Sequence, residues 1–551
     1  MDDAALTSAG SREELVPDAV IPHRHLPPLR YRDMPSPIPW RKMLGPSIML
    51  AGLSLGSGEF ILWPYITYQT GFIFFWACML GVLTQFFLNM EIERWTLVTG
   101  ESAITGFCRL SRQWAWVLLL LNIIPWAWPG WATGAGAILE WLLFGPATET
   151  STGETLKFGT RYASYFGVAG LLLVGVVLTA GPVVYKTVER IQVVLVTFIL
   201  IVVVLIACLV IRPDAALAMA AGTVNIGGMP DLSLPGLDLM MLLGALAFAG
   251  AGGTTNLGQS NFIKDKGYGM GRFIGRITSP LTGQQEATID IGYHFHHTPD
   301  NMRRWKAWWR AANIEHFFSF FVTCVVCLCL MSLIAYSLFY DENGHLTTDM
   351  DQYGKGISFV WGQAVELGRQ FGGAAKIGFL LMGIAVLLTT ELGVLDVVAR
   401  ISTDIVKVNY LREHEYWSLS KLYFCFLWGE ILLGCGILLL LDVSQPLMLF
   451  KISASLNGAV MFIYSLLLLY MNTKILPRSL SMGAIRFVVL VWSCAFFGYF
   501  TVQALRFDVA PKLWNSQMQQ SAAEDHASPS AQTSRFLSDR PPISAASPAG
   551  L

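Results

Sequence analysis

Charge is scarce in this chain: 14% of its 551 residues are Asp, Glu, Lys or Arg, and the net charge is −1. So thin and balanced a set gives no argument for nucleic acid or for a strongly anionic partner, and neither is expected. Phosphate-cradling glycine loops, an HExxH pair and a nucleophile elbow are missing too, so no enzyme and no cofactor are expected. An early apolar core is lacking. Residues 1–40 carry charges and the prolines Pro17, Pro22, Pro27, Pro28, Pro35, Pro37 and Pro39, so no cleavable signal peptide is expected and the first apolar run directs insertion. The 9 cysteines are scattered, and the tightest group, Cys324, Cys327 and Cys329, lies inside an apolar run, where packing outweighs metal binding or a disulfide.

Apolar length fills the rest, with 54% of residues hydrophobic. Runs of membrane-spanning length fall near 45–67, 71–93, 115–143, 162–185, 191–211, 238–262, 313–340, 374–399, 417–441, 446–471 and 485–505. Backbone amides cannot go unpaired in hydrocarbon, and runs of this length satisfy them as helices; the expected fold is an all-α membrane protein with eleven spans, not a barrel. Lys and Arg gather in the connections that lie inside when the N-terminus is inside, which sets the orientation in a plasma membrane. Residues 44–212 hold five spans, 213–237 form an outer connection, 238–472 hold five more, and 473–512 carry an eleventh helix. An odd number of helices per half makes the second half run in the opposite sense, an inverted repeat suited to alternating access. The tails 1–43 and 513–551 are expected to be disordered. The inner loop 264–310 is basic and Trp-rich, placed along the headgroups, and its His294-Phe295-His296-His297 reads as a solvated cluster, since two histidines alone do not hold a metal.

Two spans are interrupted, and they open the two halves. Gly56-Ser57-Gly58-Glu59 breaks the first, and Gly250-Ala251-Gly252-Gly253 breaks the sixth. Paired discontinuous helices point to a substrate site at the midplane, where freed carbonyls and amides find a partner in a bound ion or solute. An intramembrane carboxylate is costly unless paired, so Glu59 is the candidate anionic ligand. Gly56 and Gly250 are candidate carbonyl donors, Ser57 and Gly253 belong to the flexible backbone, and Thr254, Thr255, Asn256 and Gln259 are candidate neutral ligands or gating contacts. Oxygen donors of this kind suit a hard cation or a polar solute. Thr390, Glu391 and Asn457 are candidates for a second site or a proton relay, with Glu430 ranked lower. Asp396, four residues before Arg400, reads as an intrahelical ion pair. Glu91 and Glu93 beside Arg94 read as snorkelling groups near a helix end.

Gly45-Pro46-Ser47 ahead of the first interruption, Gln85 with Val98-Thr99-Gly100, and Gly134-Ala135-Gly136-Ala137-Ile138 through Leu142-Leu143-Phe144-Gly145 resemble the Nramp family of proton-coupled divalent metal transporters, which share the LeuT-type inverted repeat. The family's first-helix Asp-Pro-Gly-Asn falls on Gly56-Ser57-Gly58-Glu59, keeping only the glycine, and its sixth-helix Met-Pro-His falls on Gly253-Thr254-Thr255. Gly250 takes the place of a carbonyl donor, while acids of the third helix fall on Pro129 and Ala132. The resemblance implies a secondary transporter of a cation, a divalent metal first. Loss of the thioether favours a harder ion such as Mg²⁺ or Mn²⁺. The alternatives are a Na⁺- or H⁺-coupled symporter of a small organic solute such as an amino acid, and a membrane-embedded sensor without flux.

Overall fold

The computed structural model describes residues 14–39, 43–149, 157–159, 161–234, 237–279, 291–347, 356–440 and 446–510. Residues up to Thr501 form one compact unit, and Val502–Leu551 form a second, described only as far as its short helical beginning. Among the described residues, nine helices are long and apolar enough to cross a membrane. They are Phe75–Thr99, Gln113–Phe144, Ala163–Ala180, Val184–Val210, Pro299–Phe339, Gly373–Asn409, Leu419–Leu440, Pro446–Ile475 and Ala484–Phe507. The two interrupted segments, 46–70 and 239–266, complete the eleven. They are spans one and six of the expected order.

Span seven starts at Pro299 and not near 313. The Thr298 side chain accepts the Asn301 amide, and Pro299 sits in the first turn, so a capped start precedes the apolar run. The Trp-rich stretch is therefore helical, with Trp305 and Trp308 buried, and does not lie flat on headgroups. Span three carries an interruption that the reading of one continuous run did not anticipate, running as Gln113–Trp126 and Gly130–Phe144 with Pro125 and Pro129 at the join. Proline removes an amide donor and crowds the preceding turn, which is reason enough for the helix to stop there. Among the nine long helices, spans two and eight are the most buried and span five the least. Span eight packs against one, three, five, six and nine, so polar groups on it face protein and not lipid.

The expected disorder of residues 1–43 does not extend to 14–39. Arg30 and Tyr31 pair in parallel with Tyr293 and His294, and the carbonyls of Pro27 and Pro35 accept from Arg109 Nη2 (3.1 Å) and Trp308 Nε1 (2.8 Å). A proline-rich strap has few amides to satisfy, and its carbonyls serve donors buried at the helix ends. His294 is buried by this pairing, and burial pushes its imidazole down to about 4, so it stays neutral at physiological pH. Only His296 and His297 remain at the surface, which corrects the reading of one solvated histidine cluster. Residues 280–290 of the loop and the tail 513–551 lie outside the described residues.

Candidate functional site

The first interruption is a widening and not a break. Pro46–Ser54 and Trp63–Thr70 are α-helical, and Leu55–Leu62 between them is a π-helix, so the chain stays helical through Gly56 and Glu59. The expected unwinding of span one is overturned. In an α-helix the Gly56 amide would bond to the Gly52 carbonyl. Here Thr390 Oγ1 of span eight stands between them, accepting from Gly56 N (2.9 Å) and donating to Gly52 O (3.1 Å). A hydroxyl inserted into the ladder is an identifiable cause of a π-bulge.

The widened turn carries Glu59, fully buried, with neither carboxylate oxygen hydrogen-bonded. The Ser54 hydroxyl and the Cys324 thiol of span seven lie beside it, 3.1 Å from one another. Ser54 gives its proton to the Ala51 carbonyl (2.8 Å), which leaves its oxygen and not its hydrogen for the carboxylate's surroundings. An ionised carboxylate without a partner in so dry a place costs several kcal/mol, roughly, and calls for a proton or a cation.

Span six does break. Leu239–Ala247 begins with the Asp238 side chain accepting Met241 N (2.8 Å), five residues from Phe248 to Gly252 leave the helix, and Gly253–Lys266 resumes it. Gly252 (φ 74) and Gly253 (φ 56) hold backbone conformations that other residues rarely adopt. Gln85 of span two fills the gap. Its Nε2 donates to Ala247 O (2.7 Å), and its Oε1 accepts from Gly252 N (3.1 Å) and Asn256 Nδ2 (3.3 Å). One amide side chain thus stands in for bonds that the helix has lost. Trp63 Nε1 donates to Ala245 O (2.9 Å) and Trp126 Nε1, from the join of span three, to Thr254 Oγ1 (2.9 Å).

The two interruptions meet at one point: a Cβ at Gly58 would overlap the Phe248 carbonyl. Gly253 packs against the Asn457 amide of span ten, whose Oδ1 is buried without a partner, as is Asn256 Oδ1. Gly56, Thr390, Gly250, Gly253, Thr254, Thr255, Asn256 and Asn457 are therefore brought around the contact between spans one and six, with Thr255 Oγ1 turned back onto Ala251 O (2.9 Å). Gln259 is not; it lies two turns along span six, bonded to Glu93 and Ser47, and is removed from the ligand set. Glu391 stands apart as well, beside the Ala132 backbone of span three and within electrostatic reach of Glu430, itself unpartnered at both oxygens. Asp396 pairs with Arg400 Nε (2.9 and 2.8 Å) as expected, and Asp265 of span six shares the same guanidinium. Glu91 and Glu93, read as snorkelling, are fully buried.

Among the described residues, no three His, Cys, Asp or Glu side chains are grouped so as to hold a metal ion by themselves. A cation at Glu59 would therefore draw on backbone and neutral oxygens, as hard ions do. Gln85, Trp126 and Cys324 were not singled out for the site from sequence. Gln85 carried a signal, a polar amide in the middle of an apolar span; Trp126 and Cys324 carried none.

No family model matches this sequence, and no curated protein does. Solved structures do match. Two single-substitution variants of the manganese transporter of Eremococcus coleocola each align at 14% identity with a TM-score of 0.59, covering 87% of this chain and 90% of theirs. The same transporter in complex with an aromatic bis-isothiourea compound aligns at 13% identity and a TM-score of 0.58. The fold is thus the five-plus-five inverted repeat with an added eleventh helix, and the chain spans nearly the whole of it.

Proposed function

We propose that this chain is a secondary transporter that moves a divalent metal cation across the membrane by alternating access, in the manner of the Nramp-like proteins. The reading is carried by Glu59: a fully buried carboxylate with both oxygens open, on a widened turn of span one, next to the point where span six loses its helix. Its ligands would be the Glu59 carboxylate, carbonyls freed around Gly56 and Gly250, and neutral oxygens of Thr254, Thr255 and Asn256. Cys324 places a sulfur atom beside the carboxylate, which widens the range from hard ions such as Mn²⁺ toward softer divalent ions. Thr390 ties span eight to the widened turn, so a change of span one is transmitted to it. The fold shared with a manganese transporter supports this reading. The distribution of Lys and Arg supports an N-terminus on the inner side, and the plasma membrane is the setting this reading takes.

The test is uptake of Mn²⁺ into proteoliposomes by the wild type and by Glu59→Gln. Contacts to a charged group are worth roughly 1.5–3 kcal/mol, so saturable uptake should fall about tenfold or more while the folded yield is kept. Undiminished uptake by the variant would remove Glu59 from the site. Flux of an amino acid but of no metal would replace this reading with the symporter of a small organic solute.

A further inference from the structure

Away from the interruptions of spans one and six, five polar side chains from four spans are buried together. They are Ser47 at the start of span one, Glu93 of span two, Gln259 of span six, and Glu315 and His316 of span seven. The Ser47 hydroxyl is in very short contact with Glu315 Oε2, and the Ser47 amide donates to Glu315 Oε1 (3.3 Å). With its own proton given to Glu315, Ser47 Oγ can only accept from His316 Nδ1 (2.8 Å), so the imidazole carries its hydrogen on Nδ1. Glu93 Oε1 lies 3.4 Å from the same nitrogen and accepts from Gln259 Nε2 (2.8 Å), which also reaches Ser47 Oγ (3.1 Å). The His316 ring is held between Phe86 and Phe320, at 5.6 and 4.8 Å between centroids. Three atoms in this dry cluster have no partner: Glu93 Oε2, Gln259 Oε1 and His316 Nε2.

The charges around the cluster are engaged elsewhere. On span two, Arg94 holds Glu91 (2.7 Å), and Arg486 of span eleven is shared between Glu91 (3.3 Å) and Asn313. Arg486 faces Glu93 and His316 without an ion pair to either. From span five, Tyr185 lies within electrostatic reach of Glu315 and of Glu189, which is paired to Lys266. Tyr268 donates to the Met43 carbonyl, and Asp265 is tied to Arg400. Two buried carboxylates are thus left with hydroxyl and amide donors but no cation, an arrangement that costs several kcal/mol, roughly, per ion. One added proton halves the charge.

We propose that Glu93, Glu315 and His316 form a proton-binding site, wired through Ser47 and Gln259 and closed where the start of span one meets spans two, six and seven. The proton adds to the open lone pair of Glu93 Oε2; no bond is broken and the cluster gains one positive charge. A metal ion or Na⁺ would need several oxygens converging on one point. Here the oxygens already accept from N–H and O–H donors, and no group of metal-ligand spacing exists among the described residues. The site links four spans away from Glu59 and the interruptions of spans one and six, so it does not rest on the identity of the transported solute.

The experiment is difference infrared spectroscopy of the purified full-length protein across the pH range in which it stays folded, with no candidate substrate present. The wild type should show a protonated-carboxyl band that grows on acidification; the band should be lost in Glu93→Gln, and its midpoint should move in Glu315→Gln, which takes away the neighbouring negative charge. Where either variant fails to fold, Ser47→Ala, which keeps all three titrating groups, should shift the midpoint by about one pH unit, tenfold in proton affinity. A band that survives Glu93→Gln, a midpoint that Ser47→Ala leaves unmoved, or bleaching of the band by Na⁺ or Mn²⁺ at fixed pH would overturn the proposal. None of these outcomes bears on metal uptake, so the two readings fail separately.

Discussion

Span one keeps its helix through Gly56–Glu59 by widening to π geometry, whereas span six gives up helix altogether from Phe248 to Gly252. Both release backbone groups near the middle of the membrane, and both recruit a side chain from another span to receive them. The recruits differ in kind. Thr390 offers one hydroxyl between two groups that an α-helix would join directly, so the widened turn has a ready alternative. Gln85 offers a donor and an acceptor to Ala247 O and Gly252 N, which have no helical partner to return to. Span one is thus the adjustable member of the pair and span six the fixed frame, and the only unpartnered acid of the two, Glu59, sits on the adjustable one.

The contact itself is the most sensitive place to test this. Gly58→Ala drives a methyl into the Phe248 carbonyl and should destabilise the protein by about 3 kcal/mol, the upper end of overpacking costs, read as a fall in Tm. An unchanged Tm would mean that the two spans do not touch in the membrane. Gln85→Leu strands a carbonyl and an amide in a dry site and should cost about 2 kcal/mol, measured by thermal or denaturant unfolding. Thr390→Val should cost only about 1 kcal/mol, because Gly56 N–H can bond to Gly52 O again, and Thr390→Ser should be close to neutral. If Thr390→Val proves as costly as Gln85→Leu, the contrast between an adjustable and a fixed span is lost.

The break of span six was legible because Gly250-Ala251-Gly252-Gly253 supplies the positive φ values that a sharp interruption needs. Span one misled for a related reason. Gly56 and Gly58 are not there to unwind the helix but to let Thr390 and the Phe248 carbonyl come close, and a sequence does not distinguish the two uses of glycine. Glu93 was read as a snorkelling group because it lies near a helix end beside Arg94. Its burial comes from the packing of span seven, whose His316 lies against it, a contact between distant parts of the chain that the sequence does not display. The interruption of span three passed unnoticed although Pro125 and Pro129 mark it, and with it Trp126, whose indole reaches Thr254.

Apolar run lengths and their odd count per half settle the membrane class, the number of spans and the repeat, because hydrocarbon forces each run to satisfy its own backbone. Which polar groups meet was decided only by folding. Gln85 and Ala247, Thr390 and Gly56, Ser47 and Glu315 lie far apart along the chain, and no local periodicity encodes the partner of a buried hydrogen bond.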